Sequence, residues 1–150
     1  MYKNVLIPVD GSQGSLRAVD YCIELAKSIE IERIMLLHVA ALPGRLSYSG
    51  KLGRIYFNIK DQLEEYGEEL LAELKNKFTE NNVHVPVETK LEIADPAHTI
   101  VQVAKEGKYD LVIVGSRGLS GIEGMLMGSV SSHVANNVRC TVIVVREKID

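Results

Sequence analysis

Cysteine is scarce in this sequence: Cys22 and Cys140 are the two in 150 residues. Two thiols make no disulfide framework, and no C-x-x-C pair exists for redox chemistry. Cys22 falls among helical apolar positions and Cys140 opens a strand, which assigns both to packing or to near-surface thiols. Long hydrophobic runs are also missing. The longest reach four or five residues, far below the roughly 18 that a membrane helix needs. Met1 to Asp10 holds one short apolar run and then an acid, without the apolar stretch and cleavage site of a signal peptide. A cytoplasmic protein with no membrane partner is therefore expected. Nor is there an excess of positive charge. Seventeen Lys and Arg against 20 Asp and Glu leave −3 at pH 7, a balance with no field for gathering nucleic acid. No histidine pair has metal-ligand spacing with partners. Two nucleotide signatures are missing as well: no GxxxxGK[ST] follows any strand, and no GxGxxG follows the first.

What is present is an ordinary globular composition, 46% hydrophobic and 25% charged. The length fits one domain over 1–150, enough to bury most of its apolar surface without disulfides or metals. Short apolar runs alternate with helical periodicity. Val5 to Val9 stops at Asp10-Gly11-Ser12; Leu16, Val19, Ile23, Ala26 and Ile29 then recur at helical spacing, with Ser12 placed to cap. Ile34 to Val39 is a second strand. Ala41 to Gly53, with Pro43, Gly44, Gly50 and Gly53, reads as a long loop. Arg54 to Phe78 reads as an amphipathic helix with Ile55, Ile59, Leu63, Tyr66, Leu70, Leu74 and Phe78 on one side. Its Glu64, Glu65, Glu68, Glu69 and Glu73 form a solvated face. Asn81-Asn82 ends it, and Val83 to Ile93 reads as a third strand. Asp95-Pro96 opens a helix through Ile100, Val101 and Ala104 that ends at Glu106-Gly107. Leu111 to Val114 is a fourth strand, a helix runs through Val130, Val134 and Val138, and Thr141 to Val145 is a fifth strand. Near-continuous apolar strands separated by helices predict an α/β fold: an open, doubly wound, five-stranded parallel sheet with helices on both faces.

Such sheets take ligands beyond the carboxyl ends of their strands, where the strand order reverses. The residues that follow strands one, two and four are therefore the candidates: Asp10-Gly11-Ser12, Val39 with its following loop, and Gly115-Ser116-Arg117-Gly118. The last cluster is followed after nine residues by Gly128-Ser129-Val130-Ser131 at a helix start, where free amides and the helix dipole favour an anion. The hydroxyls of Ser129 and Ser131 can add hydrogen bonds. A glycine-rich surface loop with Ser129 as a simple N-cap fits the same residues, and local spacing leaves both readings open. Asp10 can hold a ribose hydroxyl, a base nitrogen or a metal-bound water, or can merely tie down the Gly11-Ser12 turn. Arg117 can reach a phosphate or point to solvent. His38, inside a strand, suits a hydrogen bond in the core; His84 and His98 suit the surface; His133 can approach the phosphates or face solvent. No Ser–His–Asp set is recognisable.

Taken together, VLIPVDGS (5–12), LLHV (36–39), DLVIVGSRG (110–118), GSVS (128–131) and TVIVVR (141–146) resemble the universal stress protein family along the whole chain. The Gly-x2-Gly-x9-Gly-Ser pattern resembles that of its ATP-binding branch. The resemblance implies a sheet order of 3-2-1-4-5 and a homodimer paired through the last strand, Thr141 to Arg146. It implies Asp10 and Val39 around the adenosine, with Pro8 and Val9 near the base. Gly115, Gly118, Gly128, Ser129 and Val130 would hold the phosphates, with Val114, Ser116, Arg117 and Ser131 beside them. Mg2+ or Mn2+ would accompany the ATP. Ala94-Asp95-Pro96 departs from the Gly-x-Pro frequent in the family. With no convincing general base, the expected function is a nucleotide-dependent regulatory switch in a stress response, with little or no ATPase activity. The alternatives are an interaction protein whose nucleotide site is vestigial, and a slow ATP-hydrolysing enzyme.

Overall fold

The elements alternate without exception among the described residues: β1 (Tyr2–Pro8), α1 (Gln13–Ser28), β2 (Ile31–Ala40), α2 (Gly50–Glu80), β3 (Val87–Ile93), α3 (Pro96–Glu106), β4 (Leu111–Gly115), α4 (Ser129–Asn137) and β5 (Thr141–Val145). This computed structural model describes residues 1–42, 50–118 and 126–147. The strands form one parallel sheet in the order β3-β2-β1-β4-β5, as the resemblance implied. Val5 of β1 lies opposite both Ile34 of β2 and Leu111 of β4, and Val112 of β4 lies opposite Val142 of β5.

The period-two pleat sends alternate residues of each apolar run to opposite faces. Val5, Ile7, Ile34, Leu36, Leu111 and Ile113 meet Val19, Cys22 and Ile23 of α1 and Leu70, Leu74 and Phe78 of α2. Leu6, Leu37, Val39, Val112 and Val114 meet Ile100, Val103 and Ala104 of α3 and Val134 of α4. Right-handed crossovers dictate this division. The chain steps one way from β1 to β3 and the other way from β4 to β5, so the helices of the two halves fall on opposite faces.

Local chemistry sets the helix ends. Ser12 caps α1, its Oγ accepting from the Ser15 amide at 3.2 Å. Asp95 caps α3, its Oδ2 accepting from the His98 amide at 3.1 Å, with Pro96 at the first helical position and Gly107 at the C-cap. After α2, Asn82 turns the chain at φ 60° and the Val83 amide reaches back to the Phe78 carbonyl at 2.9 Å. Three expectations need correction. The helix expected from Arg54 begins at Gly50, so part of the expected Ala41 to Gly53 loop is helical, and its residues 43–49 lie outside the described residues. Glycine costs about 1 kcal/mol per site in a helix, a penalty that a 31-residue amphipathic helix accommodates. The inner stripe of α2 excludes Ile55 and Tyr66, which are 46% and 45% exposed. The third strand starts at Val87, because residues 83–86 complete the turn out of α2 and Pro86 has no amide for a ladder.

Phe78 is 1% exposed at the centre of the α1–α2 face. Phe78→Ala is expected to lower unfolding free energy by about 3–5 kcal/mol in urea titration. The Asp95 carboxyl is held below its ordinary value, first by its hydrogen bond with the His98 ring and next by the His98 amide. A lowered folded-state pKa stabilises fully above the ordinary carboxylate value, and that contribution disappears as pH falls through the lowered one. Asp95→Asn, which retains a capping oxygen, is therefore expected to flatten the acid limb of a melting-temperature profile below about pH 4.

Candidate functional site

β1 and β4 are neighbours whose chains leave in opposite directions, and a cleft of about 340 Å³ opens at their carboxyl ends. Its first wall is the turn from β1 into α1. Pro8, Val9, Asp10, Ser12 and Ser15 line it. Asp10 is held from several sides. Its amide donates to Ser15 Oγ at 3.3 Å, its Oδ1 accepts from the Ser12 amide at 2.9 Å, and its carbonyl accepts from the Tyr66 hydroxyl at 3.3 Å. The turn-tying role for this carboxylate is thus occupied, on a residue that also faces the cleft.

The second wall is the end of β4. Val114, Gly115, Arg117 and Gly118 line it. Gly115 and Gly14 of α1 approach so closely that a Cβ on Gly115 would fall on the Gly14 backbone, and one on Gly14 would fall on the Arg117 carbonyl oxygen. A Cβ on Gly118 would sit 2.5 Å from Asp10 Oδ2. Ser116 departs from expectation. It is buried outside the cleft lining, its amide donating to the Val145 carbonyl at 3.0 Å and its carbonyl accepting from the Gly128 amide at 2.6 Å. Ser116 therefore fastens the two glycine clusters together. Arg117 lines the cleft while its guanidinium pairs with Glu147 at 2.5 Å, and Glu147 also pairs with Arg17 at 3.1 Å.

The third wall is the start of α4, lined by Gly128, Ser129, Val130 and Ser131. Gly128, not Ser129, is the N-cap, and no side chain caps this helix, in contrast to α1 and α3. The first helical bond runs from the Ser132 amide to the Gly128 carbonyl at 2.9 Å. The amides of Ser129, Val130 and Ser131 precede it and have no carbonyl of their own helix. The Ser131 hydroxyl donates to the Gly115 carbonyl at 2.6 Å, which leaves it an acceptor for any further hydrogen bond.

The fourth wall is apolar: Leu37 and Val39 of β2, with Pro96 and Ile100 of α3. Of the expected site residues, all but Ser116 share this one cleft. Ser12 was among the candidates that follow the first strand, whereas Ser15, Leu37, Pro96 and Ile100 were not expected. Leu37 carried a signal, lying two residues before Val39 and so on the same face of its strand. Pro96 and Ile100 carried none, because α3 reaches the cleft only by folding over the opposite sheet face. His38 is a core residue: its Nδ1 lies 2.7 Å from the Val9 carbonyl and must carry the proton. His98 is exposed and stacks at a tilt on His133, ring centroids 5.0 Å apart, away from the cleft lining. Burial pushes the Cys22 thiol up to about 12 and raises that of Cys140, so neither is a ready nucleophile. Among the described residues, no three His, Cys, Asp or Glu side chains are grouped to hold a metal ion. No helix of these residues is long and apolar enough to cross a membrane.

Fold and cleft together define a doubly wound α/β protein with a ligand-sized cavity at its switch point. The chain belongs to the universal stress protein family, whose model matches residues 1–146. It is 34% identical to universal stress protein YxiE of Bacillus subtilis over 152 aligned positions, which cover 97% of this chain and all of that protein. The solved structure of protein MJ0577 is similar over 100% of this chain and 99% of its own, with a TM-score of 0.85 and 26% identity. A universal stress protein solved in complex with cAMP is similar over 96% of each chain, with a TM-score of 0.66 and 28% identity.

The glycines differ in what they permit. A Cβ on Gly128 meets nothing closer than 3.5 Å, whereas one on Gly115 collides with backbone. Gly115→Ala is expected to cost about 1–3 kcal/mol in chemical denaturation and Gly128→Ala less than about 1 kcal/mol.

Proposed function

We propose that this protein binds ATP in the cleft between β1 and β4 and acts as a nucleotide-dependent regulatory switch, in the ATP-binding branch of its family. The observation that carries the reading is the pairing, within one cavity, of an uncapped helix start with an apolar slot. The amides at Ser129, Val130 and Ser131 and the α4 dipole suit a polyphosphate. At Gly128, where a Cβ would meet nothing closer than 3.5 Å, the absent side chain leaves room for the phosphates to approach backbone. The slot between Val9, Leu37, Val39 and Ile100 suits a flat, largely apolar base. Pro8 and Asp10 stand at the junction, where a ribose would lie. The relative solved with cAMP carries an adenine nucleotide on the same fold. Arg117 reaches the phosphates on exchanging its Glu147 partner for them.

Mg2+ or Mn2+ would travel with the nucleotide and be held largely by phosphate oxygens, as is usual for such ions. Fast hydrolysis needs a base to orient water. Asp10 is the carboxylate lining the cleft among the described residues, and one of its oxygens is already engaged by the Ser12 amide. That supports binding with little turnover. β5 is an edge strand of the described sheet, and Val142, Ile143, Val144 and Val145 are half-buried along it. An apolar edge of this kind favours pairing with a second copy through residues 141–146.

Isothermal titration of the protein with ATP and Mg2+ should give a saturable single-site isotherm. Gly128→Val, whose side chain would project where phosphate is proposed to lie, should abolish that heat while leaving the sedimentation coefficient of the dimer unchanged. Absence of saturation with the wild-type protein would favour a pure interaction protein. Release of ADP at several turnovers per second would make it an enzyme.

A further inference from the structure

Tyr66 lies outside the cleft, yet its contacts converge on the cleft's base-proximal corner. It is carried by α2, on the far side of the Val9-Asp10 backbone. Its hydroxyl donates to the Asp10 carbonyl at 3.3 Å. Its ring meets the His38 ring edge-on, centroids 5.9 Å apart, and His38 Nδ1 donates to the preceding carbonyl, that of Val9, at 2.7 Å. Two consecutive carbonyls of the β1–α1 connection are thus held from behind by two touching rings on different elements.

The neighbouring glycines show that this contact is built. Gly67 is buried, and a Cβ there would come within 2.6 Å of Leu91 and 2.8 Å of the His38 ring. Without that Cβ, α2 presses against β2 and β3 at the one turn that carries Tyr66. Gly11 turns the chain at φ +83°, and a Cβ on it would fall on the Tyr66 hydroxyl. Small residues on both sides therefore let a phenol reach a main-chain carbonyl. Tyr66 is nevertheless 45% exposed, so burial of its ring gives a weak account of its placement.

We infer that Tyr66 is a positioning residue for the nucleoside half of the ligand. It acts through the Asp10 carbonyl and, with His38, fixes the direction in which Val9 and Asp10 face the cleft. This inference rests on the ATP reading above. It goes beyond it by dividing the site into two independently supported halves. The phosphate half hangs on α4 and the Ser116 clamp. The nucleoside half hangs on α2, which contributes no residue to the cleft lining among the described residues.

The division gives a selective test. ATP, adenosine and inorganic tripolyphosphate are titrated into wild-type protein, Tyr66→Phe and Gly11→Asn. Phenylalanine removes the hydroxyl alone. Asparagine tolerates the left-handed backbone but places a Cβ against that hydroxyl. Both variants should bind ATP and adenosine about three- to tenfold more weakly, the loss of one ordinary hydrogen bond. Tripolyphosphate affinity should stay within about twofold, since its sites are not touched. Loss of affinity for all three ligands alike would overturn the inference, because it would mean that Tyr66 supports the fold generally. Unchanged adenosine binding in both variants would overturn it too. If one variant fails to fold, the other decides. Wild-type protein that binds none of the three ligands would overturn the ATP reading itself and this inference with it. Wild-type binding combined with unaltered variants would sink this inference alone.

Discussion

The site depends on backbone meeting backbone at the start of α1 and the end of β4. Gly14 and Gly115 have no side chains between them, and the helix settles onto the strand with the Arg117 carbonyl against Gly14. That approach sets how far the turn after β1 stands from the loop after β4. It brings Gly118 against Asp10 and leaves the cleft as the space between them. The hydrogen bonds that follow are consequences of this spacing. The Ser131 hydroxyl reaches the Gly115 carbonyl, the Gly128 amide reaches the Ser116 carbonyl, and the Ser116 amide reaches β5. Each satisfies a main-chain group that burial would otherwise leave unpaired.

The rest of the molecule supplies rigidity around that point. Two packed faces share the central strands. Val5, Leu6 and Ile7 are all fully buried, alternating between the α1–α2 face and the α3–α4 face. A strand buried on both sides has no freedom to slip, since a one-residue shift would send every side chain to the wrong face. The carboxyl end of β1, and Asp10 with it, is therefore held by the bulk of the core. The helix caps divide by task. Ser12 and Asp95 satisfy the first-turn amides of α1 and α3, while the start of α4 is left to Gly128. The starts of α1, α3 and α4 all reach the cleft, and of these three α4 is the one whose first-turn amides have no side-chain cap.

The candidate site was legible in the sequence to different degrees. Strand ends announce themselves as apolar runs that stop at glycine or acid, so Asp10, Val39, Gly115 and Gly118 could be named from pattern and the switch-point rule. The role of Ser116 could not. A serine between glycines looks like a ligand group until its neighbours are seen to use both its amide and its carbonyl. Tyr66 looked like a core position on the stripe of α2, and its exposure and its bond to Asp10 come from where α2 lies across the sheet. The start of α2 was misplaced for a local reason, because Gly50 and Gly53 read as loop and the long-range packing of the helix overrides them.

What the sequence determines by itself is the set of elements and the faces they bury, since hydrophobic periodicity is a property of neighbouring residues. It also brings out the two glycine-containing walls of the cleft, because Gly115, Arg117 and Gly118, and Gly128 to Ser131, lie close together in sequence and flank recognisable elements. Tertiary structure alone decided the rest. Pro96 and Ile100 of α3 and Tyr66 of α2 lie tens of residues apart, and their convergence on one end of the sheet follows from strand order and crossover hand. Periodicity says which side of a helix is buried. It carries no information about which strand that side meets, and the contents of this cleft depend on that.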